Sequence, residues 1–202
     1  MKKILLAALF MFTFSVSVFA LGSTLEVKGG VQYPSDLEKV GFDSAATLNI
    51  GVDKYFTFGA ETGFGWLKWK DEAGDVGLGN FTVTESTTNN LYTLPLLAVA
   101  RIRMADMMES NGFMPYVSGG IGYSWTWYKL PDETYRFSGL TWQGIVGVEV
   151  KLGADSNLSL IVEGGYKGAT LTNSKDFAKD VELDMSGFMG RVGVSFPLEV
   201  TE

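Results

Sequence analysis

The chain has 202 residues, a net charge of −7, and neither cysteine nor histidine. The acidic balance argues against nucleic acid as a partner, since such binding rests on Lys and Arg neutralising phosphates. Without Cys or His, no disulfide scaffold, Ser-His-Asp triad, thiol nucleophile, or zinc site of imidazole or thiolate can be built.

The first segment, "MKKILLAALFMFTFSVSVFA", has two lysines, an apolar run from Ile4, and small residues before a plausible cut after Ala20. This is the layout of a secretory signal peptide, so residues 1–20 are read as a leader and 21–202 as one domain. Losing Lys2 and Lys3 would leave 14 basic residues against 23 acidic ones, a net charge of −9.

From residue 24 onward the pattern alternates with a period of two and sustains no helical period, which indicates strands. Eight are expected. The first is "TLEVKGGVQY" (24–33), with Leu25, Val27, Val31 and Tyr33 opposed to Glu26, Lys28, Gly30 and Gln32. The second, "AATLNIGVD" (45–53), ends at a two-residue break, Asp53-Lys54. The third runs to about Trp69 and sets Phe56, Phe58, Ala60, Thr62, Phe64 and Trp66 against Thr57, Gly59, Glu61, Gly63 and Gly65. The fourth is "LYTLPLLAVARIR" (91–103), whose Pro95 lacks a ladder N–H and implies a bulge or a rim position. "PYVSGGIGYSWTWY" (115–128), "GLTWQGIVGVEVKL" (139–152), "NLSLIVEGGYKG" (157–168) and "SGFMGRVGVSFPL" (186–198) complete the set.

Connections alternate in length. Short ones fall at 53–54 and 153–157, and 104–114 lies on the same side. Long polar ones cover about 34–43, 70–90, 129–138 and 169–184. That arrangement describes an up-and-down antiparallel barrel with an even strand number. In a soluble barrel the bulky apolar face would line the interior. Here the opposite face is mostly Gly, Ser and Thr, which suits a narrow lumen, while the bulky face is nearly free of charge. Trp66, Trp125, Trp127 and Trp142 on the bulky face suit an aromatic girdle at the lipid boundary. The reading is therefore an all-β, eight-stranded transmembrane barrel whose greasy face meets the lipid bilayer.

The leader, the meander, "YTLPLLAVARIR" after a long polar loop, "PYVSGGIGYS" after a turn, and the closing strand resemble the small outer-membrane barrels of the OmpX/OmpW/OmpA-like superfamily. The resemblance implies residence in the outer membrane of a double-membraned bacterium, as a monomer. "RVGVSFPL" (191–198) is similar to the C-terminal signal read by the outer-membrane assembly machinery, although Pro197 and the extra "EVTE" depart from it. Enzymes among such barrels use a histidine that this chain lacks, so no enzymatic activity, cofactor or metal is expected.

Inward alternation gathers Glu61, Arg101, Glu149, Glu163 and Arg191 in the lumen, with Lys28 and Lys151 nearby. Glu61–Arg101 and Glu163–Arg191 are the expected pairs, because their strands are neighbours. A structural network is the first reading and an ion gate the second. Leu67, Trp69, Leu97 and Ile145 break the small-and-polar rule inside. They either fill volume or, as the OmpW-like resemblance implies, line an apolar pocket. Two functions follow. One is a structural or surface-interaction protein whose acidic loops 70–90 and 169–184 meet host or environmental ligands. The other is a narrow channel for small hydrophobic molecules.

Overall fold

The computed structural model describes residues 22–71, 87–129, 134–153, 156–173 and 182–198. The leader, the segments 72–86, 130–133, 154–155 and 174–181, and the tail from 199 lie outside the described residues. The elements are β1 (Ser23–Pro34), β2 (Gly41–Gly51), β3 (Phe56–Asp71), β4 (Thr87–Arg103), α1 (Ala105–Asn111), β5 (Phe113–Lys129), β6 (Thr134–Lys151), β7 (Ser159–Asn173), β8 (Glu182–Asp184) and β9 (Gly187–Leu198). Sequential strands pair antiparallel, and β1 pairs with β9 to close the wall. The pairs Thr170↔Asp184 and Lys167↔Gly187 place β8 and β9 in one register against β7. They form a single stave interrupted at Met185-Ser186, and the barrel has eight staves.

The register fixes the geometry. Partners followed once round the wall run from Ser23 through Ile50, Phe58, Ala100, Gly119, Gly144, Tyr166 and Phe188 to Tyr33, ten residues further along β1. Eight strands with that stagger tilt by about 40° and enclose a backbone cylinder roughly 8 Å in radius, which side chains fill.

Alternation sends the apolar face outward. Trp66, Val146 and Val192 are 40%, 62% and 53% exposed, whereas Glu61 and Arg191 are 3% and 4% exposed. On β3 the outward, uncharged positions run from Phe56 to Trp66. At ~3.3 Å per residue and that tilt they span about 25 Å, the height of an outer-membrane apolar band. All four predicted girdle tryptophans stand on outward positions, with Trp127 half-buried among neighbours. Around them runs a belt of rings: Phe64–Tyr92 at 6.0 Å, Tyr123–Trp125 at 5.3 Å, Trp142–Tyr166 at 5.9 Å and Tyr166–Phe188 at 5.2 Å. Tyr33 is the cross-strand partner of Phe188 and carries the belt onto β1.

Several expectations are corrected. Strands β2, β4, β6 and β7 extend beyond 45, 91, 139 and 168 toward the long loops. On β6 and β7 the ladder continues above the aromatic belt with exposed polar side chains such as Arg136, Thr170 and Thr172, whereas the added start of β2 pairs Phe42 with Trp66 at belt level and turns Asp43 into the lumen. The Asp53-Lys54 break is a four-residue turn, 52–55, in which Asp53 Oδ1 accepts the N–H groups of Tyr55 and Phe56 at 2.7 Å each. The 104–114 connection holds the helix α1, closed by Gly112 at φ 74°. Pro95 sits in no bulge. The β3–β4 register is the same on either side of it, and only the Gly63 and Phe64 pairings are missing.

Candidate functional site

Among the described residues, buried side chains line the lumen in successive layers. Half-way along it lie four buried carboxylates, Glu26, Asp43, Glu61 and Glu163, and four buried cations, Lys28, Arg101, Lys167 and Arg191. Among the described residues, the fully buried charge therefore sums to zero. Lys28 from β1 stands at the centre, its Nζ 3.1 Å from Glu26, 3.1 Å from Glu61 and 3.3 Å from Glu163. Arg101 reaches across from β4 and holds Glu26 with both terminal nitrogens, Nη2 at 2.8 Å from Oε2 and Nη1 on Oε1. Asn49 Nδ2 donates to the same carboxylate at 2.8 Å.

Arg191 gathers the remaining acids. Its Nε lies 2.7 Å from Glu163, and its Nη1 is 3.1 Å from Glu61 and 3.5 Å from Asp43. Neutral donors add further hydrogen bonds to two of these carboxylates. Thr47 Oγ1 and Gln143 Nε2 donate to Glu61 at 2.7 and 2.8 Å, and the Tyr116 hydroxyl donates to Glu163 at 2.6 Å. The Arg101 guanidinium also lies 4.0 Å over the Tyr116 ring.

Of the two pairs expected from sequence, Glu163 and Arg191 meet and Glu61 and Arg101 do not. The register puts Arg101 opposite Thr57 and Glu61 opposite Leu97, four residues apart along β3, or about 13 Å. Arg101 turns instead to Glu26 on the far wall. Glu149 stands apart toward the short-turn end, partly buried beside Arg103 and Ser159, and Lys151 is exposed at the strand end. Sequence reasoning passes over Glu26, Asp43 and Lys167. Glu26 and Lys167 share the inward alternation with Lys28 and Glu163, a usable signal, whereas Asp43 lies in what reads as a loop.

Above the ions a polar layer includes Thr93–Thr126 at 3.0 Å and Thr141 donating to Ser124 at 2.7 Å. The loop end holds a buried apolar cluster that includes Leu67, Leu91, Tyr128, Phe137, Leu171 and Leu183. Leu37 from the β1–β2 turn packs onto it, and Trp69 stacks on Tyr128 at 5.8 Å. The four apolar residues singled out from sequence are thus dispersed. Leu67 and Trp69 join this cluster, Ile145 belongs to another with Tyr116, Ile161 and Met189, and Leu97 is buried in the wall between.

At the opposite end two short connections are clamped together. Lys54 Nζ donates to Asp106 at 2.7 Å, the Tyr55 hydroxyl donates to the same carboxylate at 3.0 Å, and Arg103 donates to the Lys54 carbonyl at 2.9 Å. The Lys54 hydrogen bond, followed by that of Tyr55, holds the Asp106 carboxyl below its usual range.

A closed eight-stave wall has counterparts among known proteins. The sequence matches the family model of the outer membrane protein beta-barrel domain over residues 6–196. The chain belongs to that family. This barrel domain resides in the bacterial outer membrane, with lipid around its wall. Its fold is similar to that of Neisserial surface protein A at 11% identity and a TM-score of 0.58, covering 87% of this chain and 96% of that one. Ail, the attachment invasion locus protein of Yersinia pestis, is 10% identical with a TM-score of 0.46, covering 88% and 99% of the two chains. A major outer membrane protein of Thermus thermophilus is 15% identical with a TM-score of 0.46, covering 87% and 99%. No curated protein sequence matches the chain significantly.

Proposed function

We propose that this is a non-catalytic, monomeric surface barrel whose wall anchors and whose long loops make contact. The observation that carries this reading is the buried interior: a charge-balanced network at mid-height and an apolar cluster at the loop end. An eight-strand lumen leaves only the width that side chains occupy, so the loops remain as the part available to a partner. The stretches 70–90 and 169–184, which hold those loops, are acidic in sequence and suit a basic or cation-bridged surface ligand, from a host or the environment. Residues 1–20 act as the export leader, and the closing strand around 191–198 is the segment offered to the assembly machinery.

The channel reading draws on the apolar cluster at the loop end, where Leu67 and Trp69 lie behind Leu37. Planar-bilayer recording separates the two. The surface reading expects no conductance above the bare membrane, and loss of cell attachment when 72–86 or 174–181 is shortened. Conductance abolished by Leu67→Asp, with attachment unaffected by either loop deletion, would overturn it in favour of the channel.

A further inference from the structure

We propose that the outward wall of β3–β6 at the loop end binds the phosphorylated headgroup of a membrane lipid. Four cations stand there on outward positions and all are exposed: Lys68 and Lys70 on β3, Lys129 on β5 and Arg136 on β6. The register makes them neighbours. Lys68 pairs with Asn90, which pairs with Lys129, while Arg136 pairs with Trp127. A stagger of ten residues over eight staves means that positions at one level step back by little more than one residue per strand. On that count Lys70, Lys129 and Arg136 come within about one residue of a common height. Lys129 and Arg136 stand on adjacent staves at the ~4.8 Å strand spacing, and Lys70 lies two staves from Lys129 round the curved wall, so the strip of three offers cations to more than one phosphate.

What lies around the strip chooses a lipid over a soluble polyanion. Directly below are Trp66, Tyr92, Trp125 and Trp127, the rings of the aromatic belt. A ligand with phosphates above and acyl chains below meets both surfaces at once, cations at headgroup height and an apolar wall at chain height. Among the described residues, no outward position of β3–β6 holds a carboxylate. The other side of the rim has the opposite character, with Asp36, Glu38 and Glu182 exposed and Lys39 among them. The cationic half is a local feature of an acidic chain. Arg136 adds a planar fork that can grip one phosphate in two places.

The test uses the full chain in phosphatidylcholine nanodiscs doped with a diphosphorylated, acylated glucosamine disaccharide, and measures lipid retained through detergent extraction by mass spectrometry. The wild type should retain the phosphorylated lipid well above its share of the disc and show no preference for the dephosphorylated analogue. Lys129→Gln should weaken retention about five-fold, and the triple variant K70Q/K129Q/R136Q should abolish the enrichment. Lys39→Gln, on the acidic side, should leave it unchanged. Heat-shifted gel mobility verifies that each variant is folded. Equal retention by wild type and triple variant, or equal retention of the dephosphorylated analogue, would overturn the proposal. So would soluble polyphosphate that binds the wild type as tightly as the lipid, which would make the strip a general polyanion surface.

Discussion

Replacing Lys28 by Met removes a cation whose amino group touches three carboxylates at the centre of the network. Its amino group lies 3.1 to 3.3 Å from Glu26, Glu61 and Glu163, all with side chains at most 4% exposed. Methionine keeps much of the stem volume, so the change is chiefly electrostatic, and the balanced interior acquires one uncompensated negative charge. Removing one partner of a buried pair costs about 3–5 kcal/mol. Here Glu26 keeps Arg101, and Glu61 and Glu163 keep Arg191, so a loss near 3 kcal/mol is expected. Adding Glu61→Gln restores neutrality. The double variant should therefore be more stable than the sum of the single changes by about 2 kcal/mol, in the range for residues sharing one network. The assay is urea unfolding of the barrel refolded in thin bilayers, followed by tryptophan fluorescence, with the midpoint read at constant slope. A Lys28→Met loss below about 1 kcal/mol, the size of an exposed pair, would refute the reasoning. Strict additivity with Glu61→Gln would do the same.

Other outcomes follow from the wall and its turns. Val146→Arg places a charge on an outward position near mid-height and should cost about 2–4 kcal/mol in the same bilayer unfolding assay; a neutral result would mean that lipid does not touch this face. Gly122→Val should destabilise by about 1–3 kcal/mol, because a Cβ at Gly122 would fall on the Leu96 carbonyl oxygen and backbone cannot yield as a side-chain tip can. At the short-turn end, the Asp106 carboxyl is held low by Lys54, so the clamp contributes above the ordinary Asp range and is lost as pH falls through the lowered folded value. Solvent screening keeps that contribution small. Carbon-detected NMR titration should place Asp106 below a free aspartate in the wild type and return it toward the ordinary value in Lys54→Gln.

What the sequence determined by itself was the fold class and the sidedness of every strand. Period-2 alternation assigns each residue to one of two faces, and the chemistry of those faces chooses oil or lumen. Phe56, Phe64 and Trp66 could go only outward together, and Glu61 only inward. Alternation carries no information about where a ladder ends, which is why the first residues of β2, Asp43 among them, read as loop. It also cannot say which inward charges meet. That was decided by the ten-residue stagger, which slides Arg101 away from Glu61 on the adjacent strand and brings it level with Glu26 on the opposite wall. In a cylinder this narrow, side chains reach across as easily as along, so the ionic partners are set by closure of the barrel and not by neighbours in the chain.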